Sequence, residues 1–235
     1  MKNSLLLFAL CLSFAAFGQQ NKFKFGVVLN PAWSDNVTTN KGNNVPKEVE
    51  EVIKKLEGKA FGYYGYLFAQ YALNKNAILR VGVGYASMCY AANKGSTKLI
   101  FEVPEPTAPE YAKFTYCHGD IVLPTLFKYN FSKRKNTLYV LGGPTTQVRL
   151  HRTKKIVLQY ADGSKKITKV ADVGTDYRLI NVNGTIGIGY DWKISKKTTL
   201  FFQPTFDANL LSTSKSALLN RKLYAIGINI GLIFG

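Results

Sequence analysis

His118 and His151 are the only two imidazoles in this 235-residue chain. Imidazole is the side chain best placed to act as a general base, or as a metal ligand, near neutral pH. Asp120 follows His118 by two positions, and Arg149 precedes His151 by two. Residues two apart share a face of an extended chain, so each histidine would lie one step from a charged partner. A small surface hydrolase could use such a cluster. No nucleophile motif accompanies it, however, and the two histidines are held as rim-site candidates only. No catalytic, cofactor-binding or metal-binding residue is assigned, and no cofactor is expected.

A second set of ionisable residues recurs on thin, polar strand faces: Lys24, Arg80, Asp120, Lys128, Arg149, Asp191 and Asp207. Charges inside a narrow polar interior must pair. The set therefore reads as a salt-bridged plug, with a proton or ion path as the minority reading. Cys89 and Cys117 share one strand parity near the ends of neighbouring strands. They form either a cross-strand disulfide or two buried thiols, according to register. Gly187-Ile188-Gly189 lies mid-strand with no following helix, so it is no phosphate loop.

The closing stretch, Leu223 to Gly235, indicates what positions these groups. Its even positions from Tyr224 to Phe234 are large and apolar, while Ala225, Gly227, Asn229 and Gly231 are small or polar. A soluble barrel would put its bulky side inward. Here the thin face suits a crowded lumen, and the bulky face suits lipid, with Tyr and Phe at the two water–lipid boundaries.

Met1 to Gln20 reads as a secretory leader. One Lys precedes an apolar run, and Ala16-Phe17-Gly18 supplies small residues before a cut ahead of Gln19. The expected organisation is a signal peptide over 1–18 and one barrel domain over 19–235. Cys11 leaves with the leader, and the remaining two cysteines reach a compartment that permits disulfides. A mean hydropathy near zero (−0.05) is what alternating lumen and lipid residues produce.

Eight strands are expected: Lys22 to Trp33, Lys59 to Leu73, Ile78 to Tyr90, Lys113 to Phe131, Thr137 to about Tyr160, Leu179 to Trp192, Thr198 to Leu211, and Leu223 to Gly235. Tyr64, Tyr66 and Phe68 blur the alternation of the second. Short turns join strands 2–3, 4–5 and 6–7, and longer loops join the others. Ala161-Asp162-Gly163-Ser164 signals a hairpin that carries the fifth and sixth strands on as a ribbon above the membrane. In the first long connection, Val49, Val52, Ile53 and Leu56 recur at helical spacing after Pro46, which predicts a short helix over Lys47 to Leu56. That helix is read as a lid on the rim, or as a partner-binding or interfacial helix. The fold class is all-β, an eight-stranded antiparallel up-and-down transmembrane barrel with a short loop helix. Turns face the periplasm and long loops face outward.

The chain is strongly basic, with 31 Lys+Arg against 14 Asp+Glu, net +17. Such a surface seeks anions. Export excludes nucleic acid as the partner. Outer-membrane lipid and lipopolysaccharide phosphates remain.

Four short signatures are similar to those of a known family. Asp120-Ile121-Val122-Leu123-Pro124-Thr125-Leu126-Phe127-Lys128-Tyr129 resembles its fourth-strand pattern, and Tyr139-Val140-Leu141-Gly142-Gly143-Pro144 its fifth. Gly187-Ile188-Gly189-Tyr190-Asp191 resembles its sixth, and Gly227-Ile228-Asn229-Ile230-Gly231-Leu232-Ile233-Phe234 its closing strand. The chain thus resembles the PorT-type outer-membrane β-barrel family of Bacteroidota over nearly all its mature length. Gly235 after Phe234 is a departure, because barrel-assembly machinery reads a terminal aromatic. The resemblance implies residence in the outer membrane and assembly through the C-terminal strand. The family includes a component of a gliding-associated protein secretion system.

The functional expectation is a non-enzymatic outer-membrane barrel that binds or assembles with a partner. One version is a component of PorT-like secretion machinery with a periplasmic partner at Lys133-Arg134-Lys135 or Lys196-Lys197. The others are a surface adhesin or outer-membrane stabiliser, and a small surface hydrolase using the rim histidines.

Overall fold

A computed structural model of the chain describes residues 22–40, 45–92, 97–98, 109–132, 136–172, 177–214 and 219–235. The expected leader and the Lys133-Arg134-Lys135 turn lie outside the described residues.

The strands run β1 (Phe23–Asn40), β2 (Gly58–Ala72), β3 (Ala77–Ala91), β4 (Thr97–Lys98), β5 (Pro109–Asn130), β6 (Thr137–Tyr160), β7 (Lys165–Ala171), β8 (Ile180–Lys193), β9 (Thr198–Asn209) and β10 (Leu219–Phe234), with one helix, α1 (Lys47–Leu56). Every pairing is antiparallel. β10 pairs both β9 and β1, and β5 pairs β6, so β1, β2, β3, β5, β6, β8, β9 and β10 close a ring of eight. Closure leaves no unpaired ladder edge in lipid, where an open edge has no partner.

The wall follows the period of two. Leu29, Leu67 and Ile186 point outward and are 67 %, 64 % and 62 % exposed, whereas Arg80, Tyr139 and Gln203 point inward and are fully buried. An apolar outer wall with a polar interior is the inverse of a soluble barrel and fits a bilayer. Aromatic side chains mark the two borders of this wall. Tyr129, Phe131, Tyr190, Trp192 and Phe234 stand at the short-turn end; Trp33, Phe61, Tyr63 and Tyr85 stand at the other. From Ile121 on β5 to Phe131 just past its end the apolar wall runs about ten residues, or roughly 25 Å of height once the strand tilt is counted.

The ambiguous second strand resolves by parity: Tyr64, Tyr66 and Phe68 are buried in the lumen. Inward aromatics need small neighbours across the ladder. Gly189 lies opposite Tyr139 and Gly231 opposite Phe201, and a Cβ at either glycine would collide with the facing ring. Gly187 and Gly227 make room instead for Thr205 and Asn30.

Several boundaries move. β1 runs on to Asn40, seven residues past the expected end at Trp33, because Val37 outward with Asn36 and Thr38 inward continues the alternation. It pairs there with β10, which starts at Leu219 rather than Leu223. β7 is the second arm of the predicted ribbon. It pairs β6 alone, while β8 carries the wall onward. Helix α1 has the predicted limits, with Glu48 and Glu50 in its first turn and Lys54 and Lys55 in its last, complementing the backbone dipole. No residue of α1 is buried; Val49 and Val52 are exposed to solvent.

Candidate functional site

The lumen is filled by three polar groups of residues stacked along the barrel axis. Near the short-turn end, β3 delivers Arg80 against two rings that meet edge to face, its guanidinium carbon 4.3 Å from the Phe68 centroid and 5.0 Å from that of Phe201. Gln70, directly across the ladder, accepts from Arg80 Nη2 at 2.7 Å and Nε at 2.9 Å once its amide is turned to face the guanidinium. Lys128 is ion-paired to Asp191 and lies 3.8 Å over the Tyr139 ring, whose hydroxyl donates to Gln203 at 3.0 Å. At mid-height, Asn30 donates to Asn229 (2.6 Å), Tyr64 (2.9 Å) and Thr205 (3.0 Å). Asp207 accepts from Thr185 at 2.5 Å and, more loosely, from Tyr64 at 3.4 Å. Toward the long-loop end, Arg149 Nε meets Asp120 at 2.9 Å.

Of the predicted plug, two ion pairs form: Lys128 with Asp191, and Arg149 with Asp120. Arg80 and Asp207 are buried and make no ion pair among the described residues; aromatic faces and amides hold one, hydroxyls the other. Lys24 has inward parity but sits at the first turn of the wall and is exposed, so it leaves the set. Voids of about 20 Å³ and about 10 Å³ are found along this column. That is room for single waters and no more.

Cys89 and Cys117 face each other directly on β3 and β5 and are joined by a disulfide, with Cα atoms 4.1 Å apart. Ser34 on β1 bonds to both the amide nitrogen of Cys89 (3.0 Å) and its carbonyl (2.5 Å). This bridge lies above the border marked by Tyr85.

The rim histidines do not meet. His118 points inward and is buried, while His151 points outward, exposed, stacked on Tyr85 at 6.3 Å. The cause is a bulge. Between the pairs Gly119–His151 and Asp120–Arg149, β6 carries the extra residue Leu150, which reverses parity above it. His151 therefore faces away from His118, and Arg152 takes the inward position.

Above the bulge the inward side chains form a vestibule that strand parity alone did not reveal. His118 stacks on Tyr90 (5.9 Å), and Tyr90 on Tyr116 (5.5 Å). Burial, with the positive charges of Arg149 and Arg152 beside it, holds the His118 imidazole well below its usual pKa, so it is neutral. Burial also pushes the Tyr90 hydroxyl up. Arg152 pairs Asp172 at 2.7 Å and covers the Tyr177 ring at 3.0 Å. Glu57, just past α1, accepts from Arg221 (3.0 Å) and Thr38 (2.5 Å), pinning the helix to the rim. Ile53 and Leu56 of α1 lean over the same space. Glu57 thus ties the C-terminal end of α1 to the rim, while Val49, Val52 and Leu56 stay exposed along the helix.

The outward face of the ribbon is different again. Lys113, Lys155, Lys165 and Lys169 share it, with Lys155 directly opposite Lys169, and none has an ion pair among the described residues. Like charges facing across a ladder are destabilising, and an anion between them offsets that cost. Among the described residues no group of three or more His, Cys, Asp or Glu side chains could hold a metal.

No curated protein matches the chain. Among solved structures, Neisserial surface protein A is 13 % identical with a TM-score of 0.38, over 88 % of this chain and 95 % of that one. Ail, the attachment invasion locus protein of Yersinia pestis, is 10 % identical with a TM-score of 0.32, over 89 % and 99 %. OprG from Pseudomonas aeruginosa is 9 % identical with a TM-score of 0.40, over 92 % and 97 %. The model of the outer membrane protein beta-barrel domain matches residues 17–214. The chain belongs to the outer membrane protein beta-barrel domain family, and its place is the outer membrane.

Proposed function

We propose that this barrel is a non-enzymatic binding and assembly component of the outer membrane, of the PorT-like secretion kind, and not a channel. The observation that carries the reading is the filled lumen. Arg80 packs against Phe68 and Phe201, two ion pairs lie at different heights, and the voids found along the column have room for single waters only. A sealed wall leaves its two ends to do the work. The long-loop end, outward by the usual barrel asymmetry, offers α1 and the lysine face of the ribbon, which suit lipopolysaccharide phosphates. The short-turn end offers Lys196 and Lys197, both exposed, to a periplasmic protein. The closing strand, with Phe234 exposed at its end, offers itself to barrel-assembly machinery. Separation of His118 from His151 onto opposite faces weighs against the hydrolase reading.

Mild-detergent extraction of the tagged chain, followed by gel filtration, tests this. An assembly component retains a stoichiometric membrane or periplasmic protein, and Lys196→Glu with Lys197→Glu releases it. Elution with lipopolysaccharide alone would replace this reading with the adhesin or stabiliser one. Hydrolysis of peptide or lipid substrates that is lost in His118→Ala would overturn the non-enzymatic reading.

A further inference from the structure

Strand β7 ends its sheet. It pairs β6 on one side and has no strand partner on the other among the described residues. The bonds at the two ends of the ribbon say which backbone groups are left over. The Tyr160 N–H donates to the Ser164 carbonyl at 3.0 Å, and the Asp172 N–H to the Arg152 carbonyl at 3.0 Å. Bonded and non-bonded pairs alternate along an antiparallel ladder. Between those two bonded pairs, Lys166, Thr168 and Val170 therefore turn their N–H and C=O toward β6. Lys165, Ile167, Lys169 and Ala171 turn theirs to the open edge, where no backbone hydrogen bond meets them among the described residues.

An open ladder edge is a template for an extended segment, and the side chains decide which one. The open-edge residues share the outward face of the ribbon, with Lys165 and Lys169 exposed on either side of Ile167, itself 59 % exposed. A second copy of β7 paired antiparallel about Ile167 would set Lys165 opposite Lys169, like charge against like. Lysines on an edge strand also serve simply to keep it unpaired. That purpose does not explain Lys155, directly opposite Lys169 on β6, or Lys113 on β5, opposite Val157 on the same face. Both stand on strands paired on each side, where no edge needs guarding. Their charge deepens a positive field that an incoming carboxylate would relieve. We propose that β7 is a docking edge for an extended acidic segment of a partner protein, which joins the sheet as a further strand. Asp or Glu then lies opposite Lys165 and Lys169, with an apolar residue opposite Ile167.

This inference goes beyond the assembly role, whose protein partner sits at the opposite, short-turn end. It also differs from phosphate binding on the lysine face, which does not use the ladder groups. The protein is placed in phosphatidylcholine nanodiscs, and binding of a fluorescein-labelled peptide, Thr-Glu-Thr-Ile-Thr-Glu-Thr, is read by anisotropy. Two further forms are N-methylated on alternate residues, one in each phase, so that charge is kept and the N–H groups of one peptide edge are lost. The expected result is that one phase binds as the parent does and the other roughly tenfold more weakly. Ile167→Pro, which removes an N–H facing the open edge and none facing β6, weakens the parent likewise. Lys165→Glu with Lys169→Glu shifts preference to the peptide with Lys in place of Glu. No binding of the parent peptide, or equal binding of all three forms, would overturn the proposal. So would displacement of the parent by lipopolysaccharide together with undiminished binding in Ile167→Pro, or dimerisation in detergent that Ile167→Pro abolishes, which would give the edge to a second copy.

Discussion

Arg80 and Gln70 stand directly opposite each other on β3 and β2, and the Gln70 amide oxygen takes both Nη2 and Nε of the guanidinium. The charge is fully buried, makes no ion pair among the described residues, and packs against Phe68 and Phe201, whose rings meet edge to face beside it. A buried charge is tolerable only when its hydrogen bonds are met. Here amides and ring faces meet them, and the cation in turn fills the barrel cross-section.

Arg80→Ala removes that filling and strips the amide partners at once. The expected cost is about 3 to 5 kcal/mol, read by urea unfolding in lipid vesicles. Arg80→Met restores volume without charge and costs less. Equal stability of wild type and Arg80→Ala would show that the guanidinium is not part of the packing.

His118 predicts an acid-sensitive limb. Burial and its two arginine neighbours depress the folded pKa, so between the folded and unfolded values the unfolded chain binds the extra proton. Stability from this group is whole above the unfolded value near 6.5 and is lost as pH falls below it. The loss approaches about 1.4 kcal/mol per pH unit. His118→Phe should flatten that limb in unfolding curves taken between pH 7 and pH 4.5; an unchanged limb would assign the acid sensitivity to other groups.

The Cys89–Cys117 bridge closes a separation of 28 residues above the membrane border. Its loss in Cys89→Ser with Cys117→Ser is expected to cost about 2 to 4 kcal/mol without preventing insertion. Alkylation followed by mass spectrometry of the wild type should find no free thiol in the mature protein until it is reduced. Labelling at Cys89 without reductant would contradict the pairing.

The wall was legible in the sequence because lipid and lumen impose opposite demands on alternate residues. Leu29 against Val28, or Ile188 against Gly189, reads directly as out against in. Ladder closure, the eight ring strands, α1 and the shared parity of Cys89 and Cys117 follow from that period and from turn spacing. The rule failed where a single residue breaks the period. Leu150, bulged from β6, turned His151 outward and put Arg152 in its place. It was also silent where distant segments meet. Glu57 and Arg221 are far apart in the chain, and nothing in either local pattern announces their bond. Lys24 obeyed parity, yet parity carries no information on height, and it lies too near the end of the wall to be enclosed.

The central claim is that the apolar wall is solvated by lipid between two aromatic borders. The chain has two tryptophans, Trp33 and Trp192, one at each border and both outward, 61 % and 52 % exposed. Single-tryptophan variants Trp33→Phe and Trp192→Phe, reconstituted in bilayers of lipids brominated at graded depths along the acyl chain, report each border separately. The account predicts that both tryptophans are quenched most by bromines nearest the headgroups and least by those at the bilayer centre. Quenching of both by aqueous acrylamide alone, with no response to brominated lipid at any depth, would contradict it.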